Sequence, residues 1–260
     1  MRLDIVMPAY NEQHRIGRTL ETYCSMFDGR DTRFLVALDG CSDATAAVVS
    51  RWRERDDRVE LLDFPKLGKG GVILESFRRT AGDLVAFVDA DGATPPQELR
   101  LLAEVAGRPG VAGAIASRYH PASVLPRRRP PERSLASAAY AWLVRALFGL
   151  PYRDTQCGAK VLRHDAVERV VPYVSSRDLV FDVDLLLVAR ELGLRIVEVP
   201  TVWIDRDGSR IRTGGDSARM AASLLRLWLQ HRLVPVDAGV EPRPVEAPAA
   251  EPAERELAHA

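Results

Sequence analysis

The chain has 260 residues, with 36 lysines and arginines against 36 aspartates and glutamates, and 47% of it is hydrophobic. That length can bury one large core or two small ones. Its formal net charge of zero excludes a protein that gathers nucleic acid by overall charge, so no nucleic-acid partner is expected. Cys24, Cys41 and Cys157 are odd in number and lack metal-ligand spacing, which fits a reduced, cytoplasmic setting. Met1-Arg2-Leu3-Asp4 leads straight into a strand pattern without the apolar core of a signal peptide. No apolar run reaches the ~20 residues of a bilayer span. The longest candidate, Leu135 to Leu150, is broken by Arg145.

Along the first half, apolar β-prone runs alternate with helical patterns. Strands are predicted at Leu3–Met7, Phe34–Leu38, Val59–Phe64, Leu84–Val88 and Val111–Ser117. Helices are predicted near Ile16–Met26, Ala44–Arg53, Gly71–Thr80 and Pro96–Ala106. The alternation predicts an α/β fold, a mostly parallel central sheet with helices on both faces. Thr94 and Gln97 around Pro95-Pro96 have the spacing of a capping box for the last of these helices. The second half opens on a basic, proline-broken loop, Arg127-Arg128-Arg129-Pro130-Pro131. Apolar and amphipathic helices are predicted at Ser134–Phe148, at Asp178–Leu192 with Gly193 as its C-terminal cap, and at Ser217–Leu233. A loop returns into a strand over Asp154–Arg163, and Leu194–Trp203 alternates as a further strand. The Pro/Ala/Glu-rich residues 234–260 have almost nothing to bury and are expected to be a disordered tail. Residues 1–233 are expected to form the domain, with a nucleotide-binding half over 1–118 and an acceptor half over 119–233.

The strand Leu84–Val88 ends in Asp89-Ala90-Asp91-Gly92, two carboxylates at the carboxyl edge of a parallel sheet. α/β folds bind ligands at that edge. Oxygen ligands of this kind suit Mg2+ or Mn2+, which usually carry substrate phosphates. Pro8-Ala9-Tyr10-Asn11-Glu12 follows the first strand. This stiff turn can set a base or ribose against Tyr10 with Glu12 on a hydroxyl, or simply begin a helix with an acidic first turn. Asp39, after the second strand, either reads a nucleobase or ribose or opens a plain turn with Asp43 as the helix cap. Lys66-Leu67-Gly68-Lys69-Gly70-Gly71 lacks Walker A spacing; it either permits close backbone approach with Lys69 as a point charge for a phosphate or carbonyl, or is a plain glycine-rich helix start.

Taken in order, Pro8–Glu12, Asp39-Gly40, Lys69-Gly70-Gly71 and Asp89–Thr94 resemble the motifs of family 2 glycosyltransferases with a GT-A, Rossmann-like nucleotide-sugar-binding fold. Arg153–Lys160, Phe181–Leu186 and Gly208-Ser209-Arg210 look like the dolichyl-phosphate β-glucosyltransferase branch and its bacterial polyprenyl-phosphate relatives. The resemblance covers Leu3 to Leu233. It implies an inverting, metal-dependent transfer of glucose from UDP-glucose to a polyprenyl phosphate. Asp89 and Asp91 would hold the ion, and Pro8, Ala9, Tyr10, Glu12, Asp39, Lys69 and Ala90 would hold the donor. Ser209 and Arg210 would close on its diphosphate. Arg118, with Arg133 or Arg127–Arg129, would meet the acceptor phosphate. Asp91, Asp154, Asp182 and Arg118 are the expected catalytic group, with structural roles as cap or arginine partner open for Asp154 and Asp182. Leu38 and Ala159 depart from the family pattern, and Ala93 favours the glucosyl branch over the mannosyl one. The resemblance also implies membrane-surface contact through residues 134–148 and 217–233, peripheral at the cytoplasmic face, with core packing or a homo-oligomer contact as the other uses of those helices. Three further readings stay open: a family 2 enzyme with a non-polyprenyl acceptor, a GDP-mannose-dependent polyprenyl-phosphate mannosyltransferase, and an inactive sugar-nucleotide-binding scaffold.

Overall fold

A computed structural model describes residues 1–29, 31–126, 131–204 and 215–233, with backbone alone for 131–136 and 215–218. Its seven-stranded sheet runs in the order β3-β2-β1-β4-β6-β5-β7. β1 (Leu3–Ala9), β2 (Thr32–Asp39), β3 (Val59–Phe64) and β4 (Leu84–Val88) are parallel and are joined by α1 (Ile16–Met26), α2 (Thr45–Arg55) and α3 (Lys69–Phe77). α4 (Pro96–Ala106) leads to β5 (Gly113–Ser117), and α5 (Pro131–Phe148) to β6 (Ala159–Arg163). α6 (His164–Val170), α7 (Phe181–Glu191), β7 (Ile196–Pro200) and α8 (Gly215–Leu233) complete the order.

The period-2 alternation of each strand sorts its side chains into two layers. Val6, Leu35, Ala37, Val85 and Phe87 join a core with α3, α5, α6, α7 and α8 residues. Ile5, Met7, Phe34, Val36, Leu38, Ala86 and Val88 join a second core under α1, α2 and α4. All five residues of β4 are buried, as a strand covered on both faces requires.

β6 is antiparallel to both neighbours. It starts where β4 ends, with Ala159 opposite Val88, and the Asp89 N–H donates to the Gly158 carbonyl at 3.0 Å. This reversal carries the Asp154–Gly158 loop to the tip that holds Asp89 and Asp91.

Several boundaries differ from expectation. The β5 strand begins at Gly113 rather than Val111, and the Leu194–Trp203 strand shrinks to Ile196–Pro200. α7 starts at Phe181, since Asp178 to Val180 form a turn in which Asp178 Oδ1 accepts the Val180 N–H. α6 has no counterpart in the predicted elements. The capping box does not form: Pro95 occupies the N-cap of α4 with no side-chain bond, and the Thr94 hydroxyl has no partner among the described residues. The Thr94 carbonyl instead accepts the Tyr23 hydroxyl at 3.0 Å. Gly193 does end α7: at φ 69° it lets Leu194 N–H reach the Ala189 carbonyl at 2.9 Å.

Candidate active site

The loops after β1 and β2 are stitched together by their own hydrogen bonds. Asn11 adopts φ 54°, and its Oδ1 accepts the Ser42 N–H at 2.7 Å. The Glu12 N–H donates to Thr45 Oγ1 at 2.7 Å, and the Thr45 N–H donates to Asp43 Oδ1 at 3.0 Å. Beside them Lys66 Nζ lies 3.1 Å from the centre of the Tyr10 ring and donates to Asp39 Oδ2 at 2.7 Å. Asp39 Oδ1 accepts the N–H groups of Leu67 and Gly68 at 2.7 and 2.9 Å. Asp39 thus ties the β2 tip to the start of α3. Tyr10 stays exposed at this rim, while Pro8 and Ala9 form the end of β1 beneath it. Glu12 forms a bidentate pair with Arg15, both bonds at 2.6 Å.

Asp89 and Asp91 sit at the tip of β4. Gly158 packs so closely that a Cβ there would lie 1.8 Å from Asp89 Oδ2. Asp91 Oδ1 accepts the Ala93 N–H at 2.9 Å. Burial and the neighbouring Asp89 charge hold the Asp91 carboxyl above the usual carboxylate range, against the pull of that bond and of Arg15. Ala90 between them is buried, and its carbonyl accepts the Thr19 hydroxyl at 2.9 Å.

Lys69 joins this tip to α7. Its Nζ is 2.9 Å from Asp89 Oδ1 and 3.7 Å from Asp182 Oδ2. The other oxygen of Asp182 accepts from Lys160 Nζ at 2.5 Å, and both of those residues are 1% exposed. Lys160 Nζ also donates to the Cys157 carbonyl at 2.8 Å. Charges therefore alternate along Asp89, Lys69, Asp182 and Lys160. Burial alone would push the Lys69 pKa down, but Asp89 and Asp182 outweigh it and raise it. The glycines beside Lys69 serve close packing: a Cβ on Gly70 would meet Phe181 Cβ at 2.5 Å.

Arg118 and Asp154 form a second unit. The guanidinium donates through Nε to Asp154 Oδ2 at 2.7 Å and through Nη2 to Oδ1 at 2.8 Å, and the Arg118 N–H adds a bond of 2.9 Å. The guanidinium lies 5.1 Å from the Trp203 ring centre and 5.6 Å from that of Tyr119. Burial would raise the Asp154 pKa, yet the Arg118 charge and bonds hold it below the usual range. Glu198 on β7 orients the loop by accepting the Arg153 and Asp154 N–H groups at 2.8 and 2.9 Å. Gln156 donates to the Tyr140 hydroxyl of α5 at 3.1 Å.

Asp89, Asp91, Lys69 and Asp182 thus gather at one sheet edge, with Tyr10, Glu12 and Asp39 along the same edge and Arg118 paired to Asp154 beside it. Arg127–Arg129, Ser209, Arg210 and the Arg133 side chain lie outside the described residues, as does the expected tail. Arg15 carried no expectation, and Lys66, Gly158 and Lys160 stood in the sequence only inside motifs, without a role of their own. Lys160 carried a weak signal, as a charged residue beside the apolar Val161-Leu162 of its strand. Gly158 gave none, because its role is a contact across the sheet.

Residues 4–170 match the family described as Glycosyl transferase family 2. The chain belongs to that family. The glycosyltransferase is 31% identical over 235 residues to "Glycosyltransferase AglD" of Haloferax volcanii, a match covering 88% of this chain and 37% of that protein. It is 27% identical over 254 residues to the dolichyl-phosphate beta-glucosyltransferase of Saccharomyces cerevisiae, covering 89% of this chain and 75% of the yeast protein. Against the human protein of that name it is 28% identical over 245 residues, covering 88% and 76%. Its fold matches glucosyl-3-phosphoglycerate synthase of Mycobacterium tuberculosis, crystallised with Mn2+, UDP and glucosyl-3-phosphoglycerate. The TM-score is 0.67 at 19% identity, covering 87% of this chain and 79% of that one. The expected GT-A fold is the fold of this glycosyltransferase.

Proposed function

We propose that this glycosyltransferase moves a hexose, glucose from UDP-glucose by the best-supported reading, onto a polyprenyl phosphate with inversion. The observation that carries the reading is the line Asp91, Asp89, Lys69, Asp182, Lys160 at the carboxyl edge of the sheet, in a chain whose relatives include dolichyl-phosphate beta-glucosyltransferases.

Asp89 and Asp91 are hard oxygen donors on one strand tip, and burial together with the Asp89 charge raises the Asp91 pKa. Among the described residues no group of three or more His, Cys, Asp or Glu side chains is placed to hold a metal ion. Asp89 and Asp91 are the residues that would hold Mg2+ or Mn2+, since hard carboxylate oxygens suit these ions. A bound ion there would screen the negative charge that develops on the departing nucleoside diphosphate. Lys69, held by Asp89 and Asp182, adds a fixed positive charge to the same edge. Tyr10, Lys66 and Asp39 form the rim on which the nucleoside rests.

A phosphate acceptor is ionised at neutral pH and asks for positioning rather than a strong base. Asp182 agrees with that demand. Each of its oxygens faces an ammonium group, and the residue is 1% exposed, so its task is to hold Lys69 and Lys160 in place. Asp154 similarly fixes Arg118 against Trp203.

The acceptor reading also draws on α5 and α8. Leu224 and Leu227 of α8 are buried, while Leu225, Leu229 and Leu233, four residues apart, form an outward stripe exposed by 51%, 51% and 78%. Trp142 of α5, the helix α8 touches, is exposed by 69%. Arg226 and Arg232 lie beside the stripe, the pattern of helices that rest on anionic lipid. No described helix is long and apolar enough to cross a membrane.

The test is a panel of UDP-glucose, GDP-mannose and other nucleotide sugars against polyprenyl phosphates and soluble phosphate acceptors such as phosphoglycerate, with Mg2+ or Mn2+. Turnover of UDP-glucose with a polyprenyl phosphate is expected. Turnover only on a soluble acceptor would replace the acceptor, and no turnover with any pair would remove the reading.

A further inference from the structure

The second carboxylate of Phe181–Leu186, Asp184, has no part in the chemistry above, yet it is fully buried. Asp184 Oδ2 accepts the N–H groups of Ser175 and Ser176 at 2.9 and 2.8 Å and the Ser175 hydroxyl at 3.1 Å. Its Oδ1 lies 3.0 Å from Nε2 of His231, near the end of α8. Nδ1 of the same ring lies 3.2 Å from Glu191 Oε2. Both ring nitrogens face carboxylates, and only an imidazolium donates to both. Burial alone would lower the His231 pKa, but the bonds to Asp184 and Glu191 outweigh it and push it up to about 9. The charges acting on the ring are Asp184 and Glu191, both on α7, while the neighbouring Arg232 turns to the Trp228 ring at 4.7 Å.

The segment held by Asp184 runs directly onto the start of α3. The Gly71 N–H donates to the Arg177 carbonyl at 3.1 Å. A Cβ on Gly68 would meet the Arg177 carbonyl oxygen at 2.5 Å, and one on Gly70 would meet that of Ser176 at 2.9 Å. Backbones packed this closely leave no slack, so a shift of Ser176–Arg177 moves Lys69.

We infer that His231 is a positioning residue: by clamping α8 to Asp184 it fixes the Ser175–Arg177 segment, and through that segment the first turn of α3 that presents Lys69 to Asp89. The consequence is that α8, the helix with the outward leucine stripe, is mechanically linked to the donor edge. The inference rests on the proposed function only in calling that edge the donor site.

The test is amide hydrogen exchange on the full chain, compared for wild type and His231→Gln. Protection at Ser175, Ser176 and Gly71 is expected to fall about tenfold or more in the variant, with β1 and β2 unchanged. Donor KM is expected to rise by a larger factor than kcat falls, and His231→Arg, which keeps a charged donor, restores part of the protection. If exchange rises only within α8, or equally over the whole sheet, the inference is overturned. If His231→Gln does not fold, the wild type alone decides. Protection at the same three amides is expected to drop between about pH 8 and 10, ahead of β1 and β2, and no such local drop overturns the inference. Exchange needs no substrate, so its failure is distinct from failure of the donor–acceptor panel.

Discussion

Replacing Gly158 with alanine places one methyl group where the structure has no room. The new Cβ would lie 1.8 Å from Asp89 Oδ2, 2.3 Å from its Cγ and 2.9 Å from Oδ1. Carbon contacts are comfortable near ~3.5 Å, so one side must move by more than about 1 Å. β6 is held to β4 by its strand pairing and by the Asp89 N–H bond to the Gly158 carbonyl, so the short Asp89 side chain is what yields. Its movement breaks the 2.9 Å contact with Lys69. Overpacking of this kind costs about 1–3 kcal/mol of stability. For a chain of this size that lowers Tm by about 2–4 °C per kcal/mol. The catalytic loss is expected to be larger, since a 1 Å misplacement can cost ~100-fold. The assay is kcat/KM for the donor with a titration of Mn2+, beside thermal melts, with Gly29→Ala as a control. A Cβ on Gly29 would have Asp31 N at 4.0 Å as its near neighbour. If Gly158→Ala keeps kcat/KM and its metal response within about twofold of wild type, the geometric argument for Asp89 fails.

Lys160→Met leaves the buried Asp182 without its 2.5 Å partner and is expected to cost about 3–5 kcal/mol in denaturant unfolding. Lys160→Met with Asp182→Leu should recover much of that loss, and a single variant costing under about 1 kcal/mol contradicts the pairing. Asp154→Asn tests the acid side. The folded-state pKa of Asp154 is lowered, so its contribution is present above the unfolded value of 3.8 and is lost as pH falls through the folded value. Wild type should therefore exceed the variant in stability at neutral pH by an amount that shrinks only below pH 3.8. His231 runs the other way. Its raised pKa contributes stability below 6.5 that is lost as pH rises through about 9. The rise is worth on the order of 3 kcal/mol, so the gap between wild type and His231→Gln should close toward about pH 10.

Much of the fold was legible in local pattern. Continuous apolar runs such as Leu84–Val88 announce buried strands, and fourteen of the fifteen described elements, all but α6, arise near their predicted places because period-2 and period-3.6 patterns are properties of adjacent residues. The boundaries that slipped are those settled by contacts. Thr94-Pro95-Pro96-Gln97 has capping spacing, yet the Thr94 carbonyl serves Tyr23 on another helix and the cap falls to Pro95. α6 was missed because its short His164–Val170 run follows β6 without a turn signal.

For the site, sequence alone determined the two carboxylates at the β4 tip, the loops after β1 and β2, and the lysine beside two glycines. These are consecutive residues whose chemistry and strand-end position can be read together. Tertiary structure decided which charges meet. Lys69 lies between Asp89 and Asp182, Arg118 is paired to Asp154, and His231 reaches Asp184 across 47 residues of chain. Those pairings come from the antiparallel insertion of β6 and the close packing of α3, α7 and α8. They depend on distances of a few ångströms between segments far apart in the chain, which no local pattern encodes.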